Sequence, residues 1–250
     1  MMWEGNQMKE KRTVTYSKDP LRAAKLNARN AIVRSGNKEF KTHSSAKWTD
    51  ITRKSNGHIL VQIDHDDIKG VTGEMIKWWF ESLSGYTTWN GVDFSGPEVS
   101  LYHLWHHRDH VAVTPLSNAP DGTINHGFRE GADSRIEERF NEFHLHVYNR
   151  MRKTTLTDRE FTFDIMMGNK AVGHISHIYE SVEGGVSFYA ETEVGMNGGF
   201  IATLINKLVL PHIYNTKDAE HWICHNIEET GRTQDILPIL FANKDKVYFK

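Results

Sequence analysis

The sequence predicts an α+β fold in which helices pack on a curved antiparallel sheet. Two observations carry this. Strand-like segments cluster in the middle and right half of the chain, and two of them join through a tight glycine turn. Helical patterns fall near residues 75, 205 and 222. No internal repeat and no clean linker interrupts the 250 residues, which argues for one domain with an N-terminal extension.

Residues 1–20 read as a loose arm. Leu21, Ala24, Leu26, Ala31, Ile32 and Val33 fit a short amphipathic helix over 20–35. Ile59-Leu60-Val61-Gln62-Ile63 is an apolar strand that ends in the acidic turn Asp64 to Asp67. Thr72 is placed to cap a helix through Trp78-Trp79-Phe80, and Gly85 to stop it. Val99 to Trp105 reads as a strand running into His106, His107 and His110. Residues 114–127, with Pro115, Pro120 and Asp121-Gly122, read as loop. Ser134 to Val147 has mixed periodicity, with alternation at Phe143, Leu145 and Val147 favouring a strand at its end. Phe161 to Ile165, Ala171 to Tyr179 and Val186 to Val194 are strands, the last two joined by the turn Glu183-Gly184-Gly185. Ile201, Leu204, Ile205, Leu208, Val209 and Ile213 recur at helical spacing, with Pro211 expected to kink or end that helix.

Composition narrows the function classes. The chain is 38% hydrophobic and 11% aromatic, suited to a sizeable core. A formal net charge of -2, with signs mixed along the chain, argues against nucleic acid or an anionic membrane as main partner. One cysteine, Cys224, excludes an internal disulfide framework and a cysteine-based zinc cluster. Met1 to Arg12 shows no signal-peptide pattern, and no apolar run is long enough to span a membrane. A cytoplasmic location is the expectation.

A metal, then, would be held by histidines and carboxylates, and the 15 histidines are the group to search. His225 and Glu229, four residues apart, share one face of a helix, one turn apart, with His221 a turn earlier. Imidazole and carboxylate on one face are two ready ligands for a divalent cation. A second group is Tyr102-His103-Leu104-Trp105-His106-His107-Arg108-Asp109-His110. A third is the acidic segment Glu130 to Glu142, centred on Glu137-Glu138. His174 and His177 lie on one strand and point to opposite faces, so at most one reaches a shared cavity. Each group has a bland explanation: a polar sheet face, a solvated surface, an exposed helix pair. Trp78-Trp79-Phe80 suits core or cavity wall better than a binding platform. The joint presence of these groups is what points to metal chemistry.

Together these segments resemble the 2,4-diacetylphloroglucinol hydrolase and phloretin hydrolase family. The matching pieces are Met75 to Phe80, Tyr102 to His110, His174 to Glu180, Gly184-Gly185, His225 to Gly231 and Leu237-Pro238, within roughly residues 70–242. The resemblance implies a Bet v 1-like helix-grip fold, a curved antiparallel sheet around a long C-terminal helix. It implies a metal-dependent hydrolase domain over 71–250, with 1–70 as an N-terminal extension packing on the core. It implies Zn²⁺ held by His110, Glu138, His225 and Glu229, with His106 in reserve for His110, and Glu130 or Glu137 for Glu138. His177 matches a catalytic histidine, with His174 in reserve, and Tyr102 a substrate-contacting hydroxyl. The implied reaction is a retro-Claisen-type hydrolysis of the carbon–carbon bond between an acyl group and a phenolic ring. Two departures stand out: His107 occupies a position where the family has proline, and Thr114 to Gly131 matches poorly.

The expected partner is a small aromatic ketone such as an acylphloroglucinol or phloretin-type dihydrochalcone, and a homodimer is one arrangement the sequence permits. The rival readings are a non-catalytic carrier of an aromatic ligand and a non-haem iron oxygenase, since two histidines and a carboxylate also make a facial triad. The same ligands would accept Mn²⁺, Fe²⁺ or Co²⁺.

Overall fold

The computed structural model describes residues 39–140 and 145–250. The arm and short helix expected within 1–35, and Phe143, lie outside the described residues.

Eleven strands and five α-helices follow one another in the described chain. β1 (Trp48–Arg53), β2 (Ile59–Asp64) and β3 (Ile68–Lys69) precede α1 (Gly73–Ser82). β4 (Tyr86–Thr88), β5 (Glu98–Ser100) and α2 (Leu101–Trp105) come next. Five long strands follow: β6 (His110–Pro115), β7 (Asp133–Arg139), β8 (Leu145–Leu156), β9 (Glu160–Met167) and β10 (Lys170–Val182). After β11 (Gly185–Val194), the chain ends in α3 (Phe200–Leu208), α4 (Leu210–Ile213) and α5 (Thr216–Ala242).

The main sheet runs β1-β2-β11-β10-β9-β8-β7-β6, with β3 also on β11; the ladders are antiparallel. β2 shows why these segments are strands: Ile59, Val61 and Ile63 are buried while the residues between them are half-buried. The hairpin between β10 and β11 turns at Gly184, whose φ of 79° only glycine adopts without strain. α5 packs on α1, α2, β1, β2 and β3. The fold is the helix-grip: a large antiparallel sheet holding a long C-terminal helix.

Two expectations change. The segment before residue 71 is no separate extension: Trp48–Lys69 supplies three strands, and β2 is paired on both edges. The expected strand from Val99 to Trp105 is short strand β5 followed by helix α2. All five α2 residues are buried, which removes the periodicity that separates helix from strand, and the Ser100 hydroxyl caps the helix by accepting from the His103 amide at 3.1 Å. The long C-terminal helix is present: α5 runs to Ala242, through Gly231 and Pro238. Its start is fixed by a capping box between Asn215 and Asp218. At Gly231 a β-carbon would come within 2.7 Å of the Lys41 side chain, so the glycine is kept for a close crossing.

Other expectations hold. Thr72 caps α1 by accepting from the Met75 amide, and Pro211 sits in the first turn of α4, just after α3 ends. Trp79 and Phe80 are core. Among the described residues no helix is long and apolar enough to cross a membrane.

Candidate metal centre

Three elements meet at one buried group. His110 opens β6, and the register pairs it with Glu138 on β7. α5 brings His225 and Glu229 from the other side, one turn apart. His110 Nε2 lies 3.2 Å from Glu229 Oε2 and 3.8 Å from Glu138 Oε1. His225 Nε2 lies 3.7 Å from the same Glu229 oxygen. His110, Glu138 and His225 offer ligand atoms that all lie within 4.8 Å of one another.

The surrounding hydrogen bonds fix which atom of each residue faces inward. His110 Nδ1 donates to the Tyr102 carbonyl at 2.7 Å, which leaves Nε2 as a bare lone pair. That Nε2 is buried without a hydrogen-bond partner among the described residues. His225 Nδ1 donates to Asp109 at 3.0 Å, so its Nε2 also faces the group. The Asn226 amide donates to Glu229 Oε1 at 2.7 Å, and Asn226 in turn accepts from His65 at 3.1 Å. The Tyr102 hydroxyl donates to Glu138. Outer partners that set ring orientation in this way accompany metal-ligating histidines.

The electrostatics ask for a cation. Burial pushes Glu229 up to about 7 and also raises Glu138. Burial pulls His110 down to about 3. It pulls on His225 too, but Glu229, Asp109 and Glu138 outweigh it and lift that imidazole to about 9. The raised His225 imidazole supplies positive charge between buried carboxylates, the place a divalent cation would take on displacing its proton. A divalent cation fits this donor set: it would be offered two nitrogens and two carboxylates, donors that suit zinc.

His106, Asp109 and His225 form a second cluster of potential ligands, but its atoms are engaged. His106 Nδ1 accepts the Asp109 amide at 3.0 Å, so its Nε2 carries the proton and donates to Glu228 at 2.8 Å. Arg108 holds the same Glu228 oxygen at 2.7 Å. This cluster supports the first rather than competing with it.

The alternatives left open by the sequence separate on geometry. His110, not His106, presents an unengaged nitrogen. Glu138 faces the group, whereas Glu137 pairs with Arg139 at 2.9 Å, and Glu130 is 65% exposed beside Lys153. His177 is buried, and its ring lies 5.6–6.2 Å from those of Phe80, Phe161, Phe163 and Phe188. His174 faces outward and bonds Asp164 at 2.8 Å. His107 stacks on Phe40, and His221 belongs to neither cluster.

Sequence reasoning assigned no role to Asp109, Asn226 or His65. Asn226 stands three residues before Glu229, a spacing that a helical reading makes adjacent. Asp109 sat within the histidine-rich segment. His65 gave no signal, because it reaches α5 only through the sheet.

No family model and no curated relative matches the chain. Solved structures do. The di-domain ARO/CYC BexL from the BE-7585A biosynthetic pathway aligns at 9% identity over 74% of this chain and 51% of that one, with a TM-score of 0.45. This chain thus spans about half of BexL. Ara h 8.0201 aligns at 8% identity over 68% of this chain and 95% of that one, TM-score 0.37. A START superfamily protein from Mycobacterium smegmatis aligns at 8% identity over 68% and 98%, TM-score 0.36.

Proposed function

We propose that this protein is a zinc-dependent hydrolase that cleaves the carbon–carbon bond between an acyl group and a phenolic ring, releasing a carboxylic acid. The observation that carries the reading is the convergence of His110, Glu138, His225 and Glu229 around the orphaned His110 Nε2. Those four side chains would hold the ion. When bound, Zn²⁺ supplies a Lewis acid and a water acidified to around neutrality.

The rest of the chemistry falls to the chain. An aryl ketone resists hydrolysis because its leaving group would be an aryl carbanion. Protonating the ring carbon, which a polyhydroxylated ring allows through its dienone tautomer, removes that obstacle. Water then contributes its oxygen to the acid and one hydrogen to the ring. His177 suits the proton transfer. Burial holds its imidazole down to about 4, so at neutral pH it is an uncharged base. It can take a proton from a ring hydroxyl and return it at carbon. The phenylalanines around it favour a flat apolar ring and exclude water. Tyr102 commits its proton to Glu138, so its oxygen is left to accept from a substrate hydroxyl.

A carrier of aromatic ligands would need no convergent ligand set, and a fourth ligand would fill a position that an oxygenase leaves open for its chemistry. The test is to offer zinc-loaded protein an acylphloroglucinol and a dihydrochalcone, following carboxylate release and dissolved oxygen. Carboxylate without oxygen uptake is expected. Unchanged substrate, with metal bound, would overturn the proposal.

A further inference from the structure

A cleft of about 560 Å³ opens between α1 and the loop preceding β7. Its charged lining is Lys77, Glu81, Asp121, Arg129, Glu130 and Lys153. Lys153 follows Val147, the register partner of Glu138, by six residues along β8, so the cleft lies about 20 Å along the sheet from the metal group.

Lys153 is the unusual residue. Its side chain is 1% exposed, and its partner Glu130 stands 3.5 Å away while 65% exposed to water. A buried ammonium needs a close, desolvated counter-charge, and a solvated carboxylate at that distance is a poor one. Of the other cations only Lys77 has a close carboxylate. Glu81 Oε1 holds Lys77 at 2.9 Å and is shared with Arg129 at 3.5 Å. Asp121 bonds the Thr123 amide at 2.9 Å. Lys153 and Arg129 therefore meet the carboxylates of the cleft only at 3.5 Å, beside the apolar side chains of Pro120 and Leu156.

We infer that this cleft binds a small organic carboxylate, with Lys153 as the anchoring cation and Arg129 as the second contact. A single negative charge matches the one poorly neutralised buried ammonium. A phosphate dianion would crowd Glu81 and Glu130. Burial lowers the Lys153 ammonium to about 8, so it is largely charged at pH 7.

Benzoate is a suitable probe, with benzamide as its uncharged isostere, in calorimetric titrations of the whole chain at pH 7. Benzoate should bind at least roughly tenfold tighter than benzamide. Lys153→Met, which keeps the length and removes the charge, should lose roughly that factor. Glu130→Gln, which removes the competing carboxylate, should tighten binding and keeps the proposal testable if Lys153→Met fails to fold. His225→Ala should bind benzoate as the unaltered protein does, which separates this site from the metal group. Equal binding of benzoate and benzamide, no saturable binding, or loss in His225→Ala with retention in Lys153→Met would each overturn the inference.

Discussion

His225 and His177 are both fully enclosed, yet their imidazoles move in opposite directions, to about 9 and about 4. Burial acts on both and favours the neutral ring. The difference lies in the neighbours. His225 stands against Glu229, Asp109 and Glu138, whereas His177 is ringed by phenylalanines. The carboxylates around His225 hold positive charge, and the phenylalanines around His177 keep its ring uncharged. Burial sets how much a neighbour matters; the neighbour sets what the side chain does.

The comparison can be broken most severely at Glu229. Glu229→Gln removes a proposed ligand and the largest upward influence on His225. Metal content and activity should both fall to background, and in metal-free protein the His225 titration, read by NMR, should drop towards that of His177. The next effect is chemical. His177→Phe should lower kcat by about 10²–10⁴-fold while zinc stays bound. Loss of zinc in that variant would show that His177 also supports the metal group.

The same substitution has a thermodynamic signature. Above pH 6.5 His177 is neutral in both folded and unfolded chains. As pH falls from there towards about 4, the unfolded chain takes a proton that the folded one refuses, so stability drains away. The full difference approaches about 3 kcal/mol. Chemical denaturation of metal-free protein should show a shallower acid limb for His177→Phe than for the unaltered chain. The smallest effect is expected at Asp109, which bonds His225 and is not one of the four proposed ligands. Asp109→Asn should weaken zinc binding by about 10–100-fold without abolishing it, measurable by competition with a chelator.

How much of this was legible in the sequence depends on distance along the chain. His225 and Glu229 show as a pair because a helix makes them neighbours, and the opposed faces of His174 and His177 follow from strand alternation. His110 and Glu138 meet only through the β6–β7 register, which no local pattern announces; the family resemblance pointed to them. The buried run Leu101–Trp105 carries no amphipathic signal, so its helix was read as strand. The length of α5 came from the family resemblance, since Gly231 and Pro238 are breakers that tertiary packing overrides there. The Lys153 cleft was invisible, since a lone lysine on an alternating strand reads as surface.

Elemental analysis of the purified protein beside His225→Ala tests the central claim most directly. About one zinc per chain, lost in the variant, is the expected result. A folded protein that carries no metal, or a variant that retains it, would contradict the account.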